Sequence, residues 1–135
     1  MGTASPAVAS PIWHVLYVDD EAINLRLMRD IFRVVLKRDG QLVTVDSGED
    51  ALSALERDAF DVVVADQRMP DMAGTILLAR VRERWPRIGR IVLTGYATDR
   101  EVQQALRAGV AQVVVPKPWR VAELEAAIRR VLPAP

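Results

Sequence analysis

The chain has no cysteine, a single histidine, only two lysines and 5% aromatic residues. Without thiols there is neither a disulfide framework nor a thiolate metal site. No charge of one sign prevails either: 18 basic residues face 18 acidic ones, which removes the electrostatic footprint of a nucleic-acid binder or of a protein held on an acidic membrane surface. The longest apolar runs, such as Val62 to Ala65 and Val113 to Val115, fall far short of the roughly 20 residues that cross a bilayer, so no membrane span is expected. Residues 1–11 are small and Pro/Ser-rich, with no basic start and no long apolar centre; they read as neither a signal peptide nor a folded element. The expected organisation is a disordered leader over 1–12, one folded domain over 13–132, and a tail or the start of a linker over 133–135. A chain of 135 residues, half of them hydrophobic, buries roughly 65–70% of its unfolded surface and needs no structural metal to hold a core.

What is present is alternation. Trp13 to Val18 is an apolar run that stops at Asp19-Asp20-Glu21, the pattern of a buried strand ending in acid. From Ala22 to about Arg38 the apolar positions Ile23, Leu27, Ile31, Val34 and Val35 recur at helical spacing and predict an inner face, with Asp39-Gly40 as the break. Gln41 to Val45 reads as a second strand. Ser47 is placed to cap a helix reaching about Arg57, with Ala51, Leu52 and Leu55 inward. Asp61 to Asp66 contains four apolar residues in a row, the habit of a parallel strand covered on both faces. Met69 to Gly74 is loop chemistry; Ile76, Leu77, Val81 and Trp85 outline a third helix closed by Pro86. Arg90 to Thr94 is the fourth strand. Thr98-Asp99-Arg100-Glu101 has capping-box spacing, and its helix ends at Gly109. Val113 to Val115 is the fifth strand, and Val121, Leu124, Ile128 and Leu132 mark a last helix. Five strands alternating with five helices on short loops predict an α/β doubly wound parallel sheet, whose ligand site lies beyond the carboxyl ends of the strands.

The polar residues fall at those ends: Asp19 and Asp20 after the first strand, Asp66 at the end of the third, Thr94 at the end of the fourth, Lys117 after the fifth. Three carboxylates at one edge repel one another, so such a pocket either raises a carboxyl pKa or holds a cation. A hard divalent ion such as magnesium suits oxygen ligands and leaves coordination positions for a phosphate-bearing group. Lys117 then supplies a fixed positive charge, Thr94 a hydroxyl donor, and Asp66 a carboxylate able to carry a phosphoryl group. Taken singly, each has a plainer reading. The Asp19-Asp20 pair suits a helix N-cap and first turn, and a lone Asp, Thr or Lys is ordinary in a loop. Their coincidence at one edge carries the argument.

At this point the chain resembles the receiver domain of two-component response regulators, through LYVDDEAINLRLM (Leu16 to Met28), VVVADQRMPDMAG (Val62 to Gly74), IVLTGYA (Ile91 to Ala97), ALRAGV (Ala105 to Val110) and PKPW (Pro116 to Trp119). The resemblance covers about residues 13–132. It implies a flavodoxin-like sheet of order 2-1-3-4-5 and a cytoplasmic signalling switch with Asp66 as phosphoacceptor, Thr94 and Lys117 on the phosphate, and magnesium held by Asp19, Asp20, Asp66 and the backbone carbonyl of Arg68. It also implies a sensor histidine kinase or phosphotransfer protein as donor. An effector domain or a second copy is the expected partner at the face made by the fourth helix, fifth strand and fifth helix. No enzymatic activity is implied beyond self-phosphorylation from a phosphodonor and autodephosphorylation, whose rate Arg68 and Tyr96 occupy positions to tune.

The sequence departs from that pattern in two places. Val114 stands where receivers commonly carry a Tyr or Phe three residues before the lysine, and the interval from Gly109 to Lys117 is one residue longer than usual, which predicts a bulge or shifted register in the fifth strand. Val114 favours an alternative, a receiver-like scaffold that works without phosphorylation. An aspartyl-nucleophile phosphatase would need a second Asp at position 68, where Arg stands, and a flavin carrier would not place Asp19-Asp20-Glu21 in a phosphate-binding first loop. His14 reads as a surface residue. Trp13, Trp85 and Trp119 near element ends are expected to keep a wet N–H, Met28, Met69 and Met72 to serve packing or loops, and the basic stretch Arg80, Arg82, Arg84, Arg87 and Arg90 to be mostly solvated.

Overall fold

The computed structural model describes residues 12–133; most of the expected leader and the last two residues of the tail lie outside them. Five strands, β1 (Val15–Val18), β2 (Leu42–Val45), β3 (Val62–Asp66), β4 (Gly89–Thr94) and β5 (Val113–Pro116), form one parallel sheet in the order β2-β1-β3-β4-β5. The helices are α1 (Ala22–Asp30, continued by a π-helical turn over Ile31–Val35), α2 (Gly48–Arg57), α3 (Gly74–Arg84), α4 (Arg100–Arg107) and α5 (Val121–Val131). This is the flavodoxin-like order expected from the sequence.

The period-two alternation of the strands divides the interior into two cores. Leu16, Val18, Val63, Ala65 and Val92 face α2, α3 and α4, packing on Ala51, Leu55, Leu77, Leu78, Val81 and Val102. Val15, Tyr17, Val62, Val64, Ile91 and Leu93 face α1 and α5, packing on Met28, Phe32, Leu124 and Ile128. Burial on both faces is why β1, β3 and β4 read as unbroken apolar runs. The parallel pairing aims all five carboxyl ends the same way.

Several expectations change. The face of α1 that packs is Leu25, Met28, Phe32 and Leu36, while Ile23, Leu27, Val34 and Val35 are exposed. At 100° per residue Ile23, Leu27 and Val34 lie opposite Leu25, Phe32 and Leu36, so periodicity alone could not choose between two apolar stripes. Ile76, one of the residues that outline α3 in the sequence, is likewise exposed, while Leu78 is buried. No bulge interrupts β5, which pairs with β4 residue for residue from Ile91–Val113 to Thr94–Pro116. The turn before it absorbs the longer interval, with the amides of both Val110 and Ala111 donating to the Ala105 carbonyl. The Thr98–Glu101 capping box does not form; Asp99 is the N-cap and no side chain caps α4. Ser47 caps α2 as expected, its Oγ accepting from the Asp50 amide at 3.0 Å.

Two buried polar groups depart from what the sequence predicts for them. Arg90 is 4% exposed. Its guanidinium donates to the carbonyls of Val110 (2.9 Å), Pro86 (3.1 Å), Ile88 (2.7 Å) and Gly109 (3.2 Å), stapling the α3–β4 and α4–β5 turns together. Trp13 is fully buried, with Arg38 stacked 3.6 Å from its ring centroid, and its indole N–H, expected to stay wet, has no hydrogen-bond partner among the described residues. His14 is exposed, as expected.

Candidate functional site

The site forms where β1, β3, β4 and β5 end. Asp19, directly after β1, is fully buried, and Asp66, the last residue of β3, is 4% exposed; Asp20 is exposed. One carboxylate oxygen from each of the three lies within 4.8 Å of the others. The Lys117 ammonium, delivered by the loop after β5, donates to Asp66 Oδ1 and forms an ion pair with it. Its placement follows from the sheet: the Lys117 amide continues the β4–β5 ladder by donating to the Thr94 carbonyl at 2.8 Å, and the following Lys117–Pro118 peptide is cis. Thr94 ends β4, 2% exposed, its hydroxyl oxygen accepting from the Tyr96 amide at 3.0 Å.

Burial pushes the Asp66 carboxyl above the ordinary carboxylate range; the Lys117 ammonium pulls it back, and neighbouring Asp19 pushes it up again. The Arg68 amide donates to Asp66 Oδ2 at 3.1 Å, so both oxygens of Asp66 are oriented. The chain must pass close behind them. A Cβ at Gly74 would sit 2.5 Å from the Asp66 carbonyl oxygen, which is why the loop closes on a glycine.

Three contributors were not singled out from the sequence. The Tyr17 phenol donates to Asp19 Oδ2 at 2.6 Å and Asn24 Nδ2 to the same oxygen at 3.0 Å, while the Glu21 amide donates to Asp19 Oδ1 at 3.0 Å. Burial and the Asp19 carboxylate raise the phenol far above its ordinary pKa, so it stays a donor and fixes Asp19. Tyr17 stands two residues before Asp19 on the same strand face, and Asn24 one turn into α1; period two and period 3.6 are the signals that find them. Asp71, in the loop after β3, reaches across to α2 and accepts from the amides of Gly48 (3.2 Å) and Glu49 (3.1 Å). Desolvation works against its charge, but the amides of Glu49 and Gly48 outweigh it and hold the carboxyl below its ordinary pKa.

Chemically, the arrangement is an oxygen-only donor set with a fixed cation beside it. Three carboxylates suit a hard divalent ion rather than a soft one. Arg68 and Tyr96 flank the edge, the Arg68 guanidinium lying 4.5 Å from the centroid of the Tyr96 ring. A groove of about 500 Å³ opens beside them, lined by Asp20, Arg68, Pro70, Asp99 and Glu101 among others. Val114 is half-buried and packs against the core under α2, α3 and α4.

Comparison with known proteins points to one family. The family model of the response regulator receiver domain matches residues 15–129. The chain is 36% identical over 121 residues to the hydrogenase transcriptional regulatory protein HoxA of Cupriavidus necator, covering 89% of this chain and 24% of that protein. It is 39% identical over 112 residues to the response regulator protein FleR of Pseudomonas aeruginosa, covering 82% and 22%. The chain thus spans about a quarter of the length of these relatives. Among solved structures it is similar to the response regulator protein TrrA of Thermotoga maritima in complex with Mg(2+)-BeF, with a TM-score of 0.68 and 25% identity over 87% of this chain and 97% of that one.

Proposed function

We propose, from the premise that the chain belongs to the response regulator receiver domain family, that it is a phosphorylation-controlled switch with Asp66 as the phosphoacceptor. The observation that carries this reading is the buried Asp66 carboxylate held by the Lys117 ammonium with Asp19 and Asp20 gathered around it. The donor is a phosphohistidine of a sensor histidine kinase or phosphotransfer protein. An Asp66 oxygen attacks phosphorus as the P–N bond breaks, and the bonding electron pair leaves with the imidazole. Lys117 neutralises one phosphoryl oxygen and the Thr94 hydroxyl donates to another. Asp19, Asp20, Asp66 and the backbone carbonyl of Arg68 are the residues that would hold magnesium, which when bound neutralises charge on the transferred group. Water attack on phosphorus later breaks the P–O bond to Asp66 and restores the carboxylate, so the chemistry is confined to self-phosphorylation and autodephosphorylation. A protein-borne donor is consistent with the apolar stripe Ile23, Leu27 and Val34 left exposed on α1. The modified domain acts through the α4-β5-α5 face on an effector domain or a second copy, in the cytoplasm. No helix among the described residues is long and apolar enough to cross a membrane.

Incubation with magnesium and acetyl phosphate tests the reading. Intact-mass measurement should show one added phosphoryl group in the native chain and none in Asp66→Asn. An unmodified native chain that also binds no magnesium would replace the switch with the phosphorylation-independent scaffold that Val114 favours.

A further inference from the structure

The slot where the sequence pattern of the family puts an aromatic is filled by Val114. Val114 carries no ring to swing, and its side chain is packed on the core between the sheet and α2, α3 and α4. An exposed aromatic does stand at the site: Tyr96 is 60% exposed, and three connections hold it. Its ring lies under the Arg68 guanidinium at 4.5 Å. Its amide donates to the Thr94 hydroxyl oxygen at 3.0 Å. Its carbonyl accepts from the amide of Asp99, the N-cap of α4, at 2.9 Å. Next door, the Ala97 carbonyl accepts from Gln103 on the first turns of α4 at 2.6 Å.

We propose that Arg68 is a phosphoryl-contact residue held in reserve on the ring of Tyr96, and that its transfer to the modified Asp66 frees Tyr96 and shifts the start of α4. The proposal rests on the phosphoacceptor reading given above. Two of the three connections of Tyr96 lead to groups that a phosphoryl on Asp66 would claim. Arg68 is already anchored there, its own amide donating to Asp66 Oδ2 at 3.1 Å. Its guanidinium is the one cation among the described residues lining a groove that also holds Asp20, Asp99 and Glu101. Bidentate hydrogen bonding to a phosphoryl dianion is worth more than an exposed cation–π contact, so the guanidinium moves. The Thr94 hydroxyl, turning to the same group, withdraws the acceptor from the Tyr96 amide. The third connection is then the only one left, and it ties Tyr96 to α4.

The test uses the whole chain, magnesium and beryllofluoride, which mimics the phosphoryl group on an aspartate. NMR follows the amides of residues 66–68, the Arg68 Nε–H, the Tyr96 ring and the amides of residues 100–107. In the native chain all four sets should shift. In Tyr96→Leu the amides of 66–68 should shift as before while the response of 100–107 falls at least two-fold; Arg68→Met should reduce it similarly; Val114→Ala should leave it unchanged. Arg68 and Tyr96 are exposed and Val114 is half-buried, and the spectrum without beryllofluoride reports that each variant is folded. A native Arg68 Nε–H that stays put while 66–68 shift, or an undiminished α4 response in Tyr96→Leu, overturns the proposal and leaves the phosphoacceptor reading standing. No shift at 66–68 in the native chain overturns both.

Discussion

Replacing Asp20 by Asn separates what the acidic edge does for stability from what it does for function. Carboxylate oxygens of Asp19, Asp20 and Asp66 lie within 4.8 Å of one another, and unit charges at that distance repel by about 3.5 kcal/mol at an effective dielectric of 20 and about 1 kcal/mol in bulk water. Asp20 is exposed, and Lys117 offsets part of the Asp66 charge, so the lower figure applies. Asp20→Asn should therefore stabilise the magnesium-free protein by about 1 kcal/mol, raising Tm by about 3 °C, and the gain should shrink in 1 M salt as the repulsion is screened. Magnesium reverses the order. An ion present at 100 times its Kd stabilises the native chain by about 2.7 kcal/mol, whereas the variant, one ligand short, should gain much less. Melting curves in chelator and in a magnesium series should thus cross, and acetyl phosphate should label the native chain but not the variant. A variant less stable than the native chain in chelator, or an equal magnesium gain in both, would refute the reasoning, since either means the three carboxylates do not share one field.

Three further outcomes follow from contacts away from the edge. Arg90→Met keeps the stem but leaves four carbonyls without their charged donor; urea unfolding should show a loss of about 3 kcal/mol, and a loss below about 1 kcal/mol would mean water replaces the guanidinium. Lys37 closes the π-helical turn of α1 with φ at 56°, a conformation that favours glycine, so Lys37→Gly should raise stability by up to about 1 kcal/mol; no gain would place the strain elsewhere. Asp71 has its folded pKa depressed below 3.8, so its contribution is complete above that value and is lost as pH falls through the folded pKa. Asp71→Ala should cost about 1 kcal/mol near neutral pH, and the gap between the two unfolding curves should narrow only below about pH 4; a gap that does not narrow at all as pH falls below about 4 would mean the cap does not depend on charge.

The strands and the edge residues were legible in the sequence for a shared reason. In a doubly wound sheet the apolar runs stop where the strands leave the core, so the first polar residue after each run is at the carboxyl edge by construction. Asp19, Asp66 and Thr94 are such residues, and the structure places each at its strand end. Lys117 follows one residue after β5, held by a ladder hydrogen bond to Thr94. What stayed hidden involves a choice between faces or a contact between loops. Helix α1 offers two apolar stripes, and only the position of Phe32 and Met28 against β1 and α5 decides which packs. Arg90 reads as surface because its neighbours are arginines on an exposed helix end, yet the parallel register puts its guanidinium beneath two turns whose carbonyls it binds.

The same distinction bears on function. The acceptor chemistry belongs to residues fixed by strand ends, and its parts could be named before any coordinates. The way a signal leaves belongs to loop contacts, where one substitution changes the route. With valine at 114, half-buried and packed against the core, a turn of the Thr94 hydroxyl toward a phosphorylated Asp66 would meet no ring on β5. It would meet the Tyr96 amide instead, and through Asp99 the end of α4. On the proposed route from Asp66 along the β4–α4 loop, swapping the two residues, as Val114→Tyr with Tyr96→Leu, should move the beryllofluoride response from residues 96–103 toward β5 and α5. A response that stays in the loop after the swap would show that side-chain size at 114 does not govern the route.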